Sequence, residues 1–154
     1  MKAVRITGRG GPEVLELGEV PDPSPSHGQA MVRVRASAIN RADLLQCLGQ
    51  YPAPPGAPAD IPGLEYAGEV VALGAGALDL IVGQRVMGIV SGGGFSEYLV
   101  VHERECVKMP ANLDFTQAAA IPEAFLTAFD VLVLQGNLRI GTRLLIHADR
   151  KSVV

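Results

Sequence analysis

Ala30-Met31-Val32-Arg33-Val34-Arg35-Ala36 repeats with a period of two, and the residues after it do not. A period of two is the signature of a half-buried strand, so Arg33 and Arg35 are expected to face solvent on one side of a sheet. From Asn40 to Leu48 the period changes. Leu44, Leu45 and Leu48 recur at helical spacing, Asn40 can cap the first turn, and Gly49 can close the last. A strand that turns into a short capped helix, followed by Tyr51-Pro52-Ala53-Pro54-Pro55-Gly56-Ala57-Pro58, fixes the local architecture. The proline run has too few backbone donors for regular structure and is a loop.

The same period of two appears on both sides of this segment. Lys2 to Ile6 and Val14 to Val20 read as strands, separated by Gly10-Gly11-Pro12. Pro21, Pro23 and Pro25 make an extended connector. Tyr66 to Leu73, Gln84 to Val90 and Phe95 to Val101 read as further strands, the last two joined by a turn at Gly92-Gly93-Gly94. No strand-to-helix context surrounds that triplet, so it is not a phosphate loop. The first two-thirds is therefore mostly β.

From Phe115 the pattern changes again. Phe125, Phe129 and Leu132 lie at helical spacing, and Pro122 either kinks this run or opens a fresh helix. Arg143 to Ala148, with Leu144, Leu145 and Ile146, reads as a buried strand. Helix, turn and apolar strand are how an α/β unit begins.

Composition excludes several classes. Of 154 residues 48% are hydrophobic, too many for a disordered chain. No run approaches the roughly 20 apolar residues of a membrane helix. A formal net charge of −3 offers no footprint for nucleic acid. The N-terminus has no apolar signal core, which implies a cytoplasmic chain, and Cys47 and Cys106 are expected as free thiols.

The residues Gly10-Gly11-Pro12-Glu13, Ser37 to Gln46, Gly49-Gln50-Tyr51-Pro52, Pro62 to Val70, Ala118 to Glu123 and Leu126 to Phe129 form an ordered set of motifs. In this order and at these spacings the chain resembles the N-terminal part of a medium-chain dehydrogenase/reductase. More narrowly it resembles the zinc-independent quinone oxidoreductase branch, of the p53-inducible type. The resemblance implies a GroES-like, partly open barrel over residues 1–119 that carries the catalytic cleft. It implies the first helix and strand of an incomplete Rossmann domain over 120–148, and a tail outside the family pattern over 149–154. It also implies NADPH as cofactor, a small-molecule quinone or enone as substrate, no membrane or nucleic-acid partner, and a homodimer for intact members.

Zinc-containing relatives use Cys, His and Cys where this chain has Asn40, Leu64 and Glu123. A leucine cannot ligate zinc, and one carboxylate cannot hold it. The expected metal set is therefore none. Hydride transfer would rely on positioning and hydrogen-bond donors.

Four residues are candidates for the site. Tyr51 either packs its ring on Pro52 and Pro54 or, as the resemblance implies, faces the substrate and donates to its oxygen. Asn40 caps the short helix; the resemblance also puts it and Arg41 beside the nicotinamide. Thr127 either bonds back to its own helical turn or meets the nicotinamide carboxamide. Glu65 is expected in a buried polar network below the site. His27, His102 and His147 are isolated and read as structural.

After its first Rossmann strand the family needs a glycine-rich turn that lets the backbone approach a pyrophosphate. Here His147 to Val154 contains no glycine, and Asp149 would repel phosphate. A truncated chain, inactive alone, is the corresponding expectation. Two alternatives stand beside it: a non-catalytic association module, and an enoyl thioester reductase.

Overall fold

The computed structural model describes residues 1–146. Seven strands dominate: β1 (Lys2–Ile6), β2 (Leu15–Glu19), β3 (Gln29–Ala36), β4 (Glu65–Leu73), β5 (Arg85–Ile89), β6 (Tyr98–His102) and β7 (Val107–Lys108). β1 and β2 form an antiparallel hairpin. The other five make an antiparallel sheet in the order β6-β3-β4-β5-β7. Neither sheet closes on itself, so the barrel is open. The hairpin is tied to the larger sheet by the Val4 N–H on the Phe95 carbonyl and by an isolated bridge between Ala3 and Ser96.

The expected periodicity holds on β3. Ala30 and Val32 are buried while Arg33 and Arg35 are exposed. β4 is different because both of its faces are covered. Tyr66 and Val70 point into the main core with Val32, Val86, Leu99 and Val101. Ala67, on the opposite face, packs with Met87, Met109, Ala118 and Ala119. Glu65 shares the face of Ala67, since side chains two apart lie on one side of a strand. That parity brings a carboxylate under the helices.

Three α-helices stand among the described residues: α1 (Arg41–Cys47), α2 (Phe115–Ala119) and α3 (Pro122–Phe129). Gly49 follows α1 with φ +71°, a conformation that glycine adopts without a Cβ penalty. Pro122 opens a fresh helix rather than kinking an old one, because its missing N–H is an orphan at that position anyway. α3 runs on through a π-helical turn at Asp130–Gln135.

The expected strand at 143–148 is corrected. Residues 143–146 are irregular, and Leu145 and Ile146 are 76% and 68% exposed. A strand exists by pairing, and among the described residues nothing pairs with this segment. His147, Ala148 and the 149–154 tail lie outside the described residues. No helix among them is long and apolar enough to cross a membrane.

The outer face of α3 is apolar and uncovered. Phe125 is 66% exposed and Phe129 53%. Together with Leu132 and Leu138 they line a cavity of about 450 Å³ with almost no polar surface. Faces of this kind mark contact sites or aggregation liabilities. The chain is therefore expected to scatter light as more than a monomer at micromolar concentration, and a double Phe125→Glu, Phe129→Glu variant to shift it towards monomer. A clean wild-type monomer would contradict this.

Candidate functional site

The site is built where α1, the proline loop and α3 meet. Asn40 stands at the start of α1 in extended backbone, φ −117° and ψ 160°. Asp43, three residues on, reaches back and accepts from the Asn40 N–H at 2.7 Å. Its second oxygen accepts from the Gly63 N–H at 2.9 Å. Both oxygens of this buried carboxylate are thereby occupied, which ties the helix start to the segment before β4.

The Asn40 side chain completes a capping box with Asp43 and has its nitrogen left for another partner. Its Nδ2 donates to Glu65 Oε1 at 2.7 Å. Glu65 Oε2 accepts from the Glu123 N–H at 2.9 Å. The second bond has a local cause. The first N–H groups of a helix have no partner inside it, and Ile121, the residue before α3, has no side-chain oxygen to supply one. Glu65 does so from β4, and its negative charge suits a helix N-terminus. One buried carboxylate thus joins α1 to α3. This is the polar network expected beneath the site.

A cavity of about 680 Å³ opens above it. Asn40, Arg41, Tyr51 and Thr127 all line it, so the four residues singled out from sequence meet at one place. Arg41 and Thr127 are exposed, and Tyr51 is 43% exposed. Their side-chain donors form no hydrogen bonds among the described residues and are available to a ligand. Ala124, Ala128, Val131 and Leu132 supply an apolar wall. A flat heteroaromatic ring with a polar substituent matches a wall and donors of this kind.

Glu123 is the residue that sequence reading missed as a chemical group. It also lines the cavity. Its half-buried carboxyl is pushed above the ordinary glutamate range, first by desolvation and then by the charges of Glu65 and Asp43. The folded chain thus holds this proton more tightly than the unfolded chain. The associated stability is complete below the ordinary glutamate pKa and is lost as pH rises through the raised one. Glu123→Gln should therefore raise the melting temperature at pH 7 and leave it nearly unchanged at pH 4. Equal changes at both pH values would contradict this.

A zinc ion does not suit these donors. The Asn40 amide donates to a carboxylate, Leu64 is buried and apolar, and Glu123 alone remains. Among the described residues no three His, Cys, Asp or Glu side chains gather as a ligand set. The cysteines lie elsewhere. Cys47 is buried in α1, and burial raises the Cys106 thiol, which contacts the Tyr66 hydroxyl at 3.2 Å.

The family description "Alcohol dehydrogenase GroES-like domain" matches residues 26–111, which hold β3 to β7 and α1. The chain belongs to this GroES-like family, within the medium-chain dehydrogenase/reductases. Other members carry the same pattern. A synaptic vesicle membrane protein VAT-1 homolog of Rattus norvegicus is 38% identical over 149 residues, 96% of this chain and 37% of that protein. A quinone oxidoreductase of Pongo abelii is 34% identical over 155 residues, 99% of this chain and 47% of that protein. The quinone oxidoreductase of Escherichia coli, solved in complex with NADPH, superposes with a TM-score of 0.78 at 29% identity, over 86% of this chain and 40% of that one. The GroES-like chain thus spans less than half the length of these relatives.

Proposed function

We propose that the chain is the cleft-bearing part of an NADPH-dependent oxidoreductase that reduces a quinone or enone. The observation that carries this reading is the convergence of Asn40, Arg41, Tyr51 and Thr127 on one cavity with an apolar wall. The division we propose is a GroES-like catalytic unit over 1–119 and the opening of a dinucleotide-binding unit over 120–148. Relatives that are quinone oxidoreductases, one of them solved with NADPH, support the reaction class.

When bound, NADPH supplies the hydride. The rest is orientation by this chain's own side chains. Thr127 and Arg41 would offer donors to the carboxamide end of the nicotinamide, and Asn40, its amide held by Glu65, would help to orient it. Tyr51 donates a hydrogen bond to the substrate oxygen and polarises the carbonyl. The apolar wall keeps water from the ring. The setting we propose is the cytoplasm, with a homodimeric whole protein.

The side chains gathered at the cavity suit the nicotinamide end, and residues 147–154 contain no glycine, so the 154 residues by themselves are proposed to bind NADPH weakly and to be inactive alone. Fluorescence titration should give a dissociation constant well above the micromolar range, weakened further by Thr127→Val. Micromolar binding, unaffected by Thr127→Val, would overturn the assignment. A second reading, an association module without catalysis, draws on the uncovered apolar face of α3.

A further inference from the structure

We propose that Glu123, as a neutral carboxylic acid, donates a hydrogen bond and then its proton to the carbonyl oxygen of a substrate in the cleft. This rests on the reading of the cleft as a carbonyl-reducing site and adds to it the source of the proton.

Glu123 feels the charges of two further carboxylates, Glu65 and Asp43, and the three are not equivalent. Asp43 and Glu65 are 3% and 2% exposed, and each has both oxygens committed to N–H donors. Neither has an oxygen left over for a ligand. The Glu123 carboxyl has no hydrogen-bond partner among the described residues, yet its backbone N–H is fixed on Glu65. It is also the one of the three that lines the cavity. A proton on Glu123 is therefore placed where a ligand can reach it.

The other groups around it fit this role. β4 contributes Glu65, and α1 contributes Asp43 and Arg41. The proline loop contributes Tyr51, and α3 itself adds no other charge to the cavity. Among the described residues Arg41 forms no ion pair with Glu123, so no bound cation draws the proton off. A carboxylic acid is also a stronger acid than a phenol and releases its proton to an enolate oxygen more readily. Tyr51 then orients the oxygen and Glu123 protonates it.

The β-carbon of an enone substrate receives hydride from a reduced nicotinamide, and the electron pair of the C=C bond moves to give an enolate. The O–H bond of Glu123 breaks and a new O–H bond forms on the substrate oxygen. The enol relaxes to the saturated ketone, and Glu123 recovers a proton from solvent through the cavity mouth. The substrate gains two electrons and the nicotinamide loses two.

The test is carbon-13 NMR of the whole 154-residue chain labelled at the glutamate carboxyls, with Glu123→Gln used only to assign the signal. The probe is 2-cyclohexenone, and the amide signals of Tyr51 and Thr127 are followed beside it. The Glu123 carboxyl should titrate above the ordinary glutamate midpoint. Cyclohexenone should shift it below that midpoint and barely above it. A midpoint at or below the ordinary value overturns the inference. So does a cyclohexenone response at Tyr51 and Thr127 with none at Glu123, which would leave the site reading standing. Silence at all three residues overturns both.

Discussion

Replacing Glu65 by leucine is expected to destabilise the chain by about 2–6 kcal/mol and to release the Asn40 side chain. The estimate counts two donors, Asn40 Nδ2 and the Glu123 N–H, each left without an acceptor at about 1–3 kcal/mol. An opposing effect must be weighed. Burying a carboxylate costs several kcal/mol of desolvation, and an apolar replacement recovers that. The orphaned donors win here because neither has another acceptor: Asn40 faces the site, and the Glu123 N–H stands at a helix start that Ile121 cannot cap. Glu65→Gln separates the two effects. It removes the charge and keeps one acceptor oxygen, so it should lose about half as much. Urea melts measure the stability, and the Asn40 side-chain amide resonance reports the geometry. A leucine variant as stable as wild type would show that the link between α1 and α3 carries no weight.

Gly63→Ala is expected to be comparably damaging for a different reason. Gly63 has φ +101°, where an L side chain is strained by about 1–3 kcal/mol. A Cβ there would also lie 2.6 Å from the Phe95 nitrogen and 2.7 Å from the Gly94 Cα. Those are backbone atoms and cannot swing aside, so overpacking adds about 1–3 kcal/mol. The sum of about 2–6 kcal/mol corresponds to a fall in melting temperature of about 4–24 °C for a chain of this size. Gly56→Ala is the control. Gly56 has φ +88°, but its Cβ would meet nothing within 4 Å, so only the strain remains. Equal losses at the two positions would refute the packing argument. The comparison bears on the site because the Gly63 N–H holds Asp43, and Asp43 holds the start of α1.

Most of the architecture was legible in the sequence because it is dictated locally. Val32 to Arg35 alternate, so β3 and its solvent face follow from the period of two. Gly49 after Leu48 ends a helix wherever that helix sits. The segment from Arg143 misled for the opposite reason. A short apolar run is equally compatible with a strand and with an unpaired stretch, and only a neighbouring strand decides.

The site divides along the same line. The convergence of Tyr51 and Thr127 came from motif order rather than from any local pattern, since nothing between them in sequence brings them together. Asn40 reads as a helix cap and does form a capping box with Asp43, while its Nδ2 also reaches a partner 25 residues away. Glu123 was read only as a poor zinc ligand. Its raised pKa comes first from desolvation by burial, then from the charges of Glu65, 58 residues distant, and of Asp43. Pro122 before it was the one available hint. A proline at the first position of a helix leaves the next N–H as the donor in need, and a buried glutamate across the cleft is the partner to look for.

One cavity, between α1, the proline loop and α3, is proposed to receive the nicotinamide end of NADPH. The most direct measurement is a residue-resolved amide NMR map of the 154-residue chain titrated with NADPH. The predicted result is a set of small, saturable shifts confined to Asn40, Arg41, Tyr51 and Thr127 and their immediate neighbours, lost in Thr127→Val. Shifts centred elsewhere, on the glycine turn at Gly92 to Gly94 for instance, or no shifts at millimolar NADPH, would contradict it.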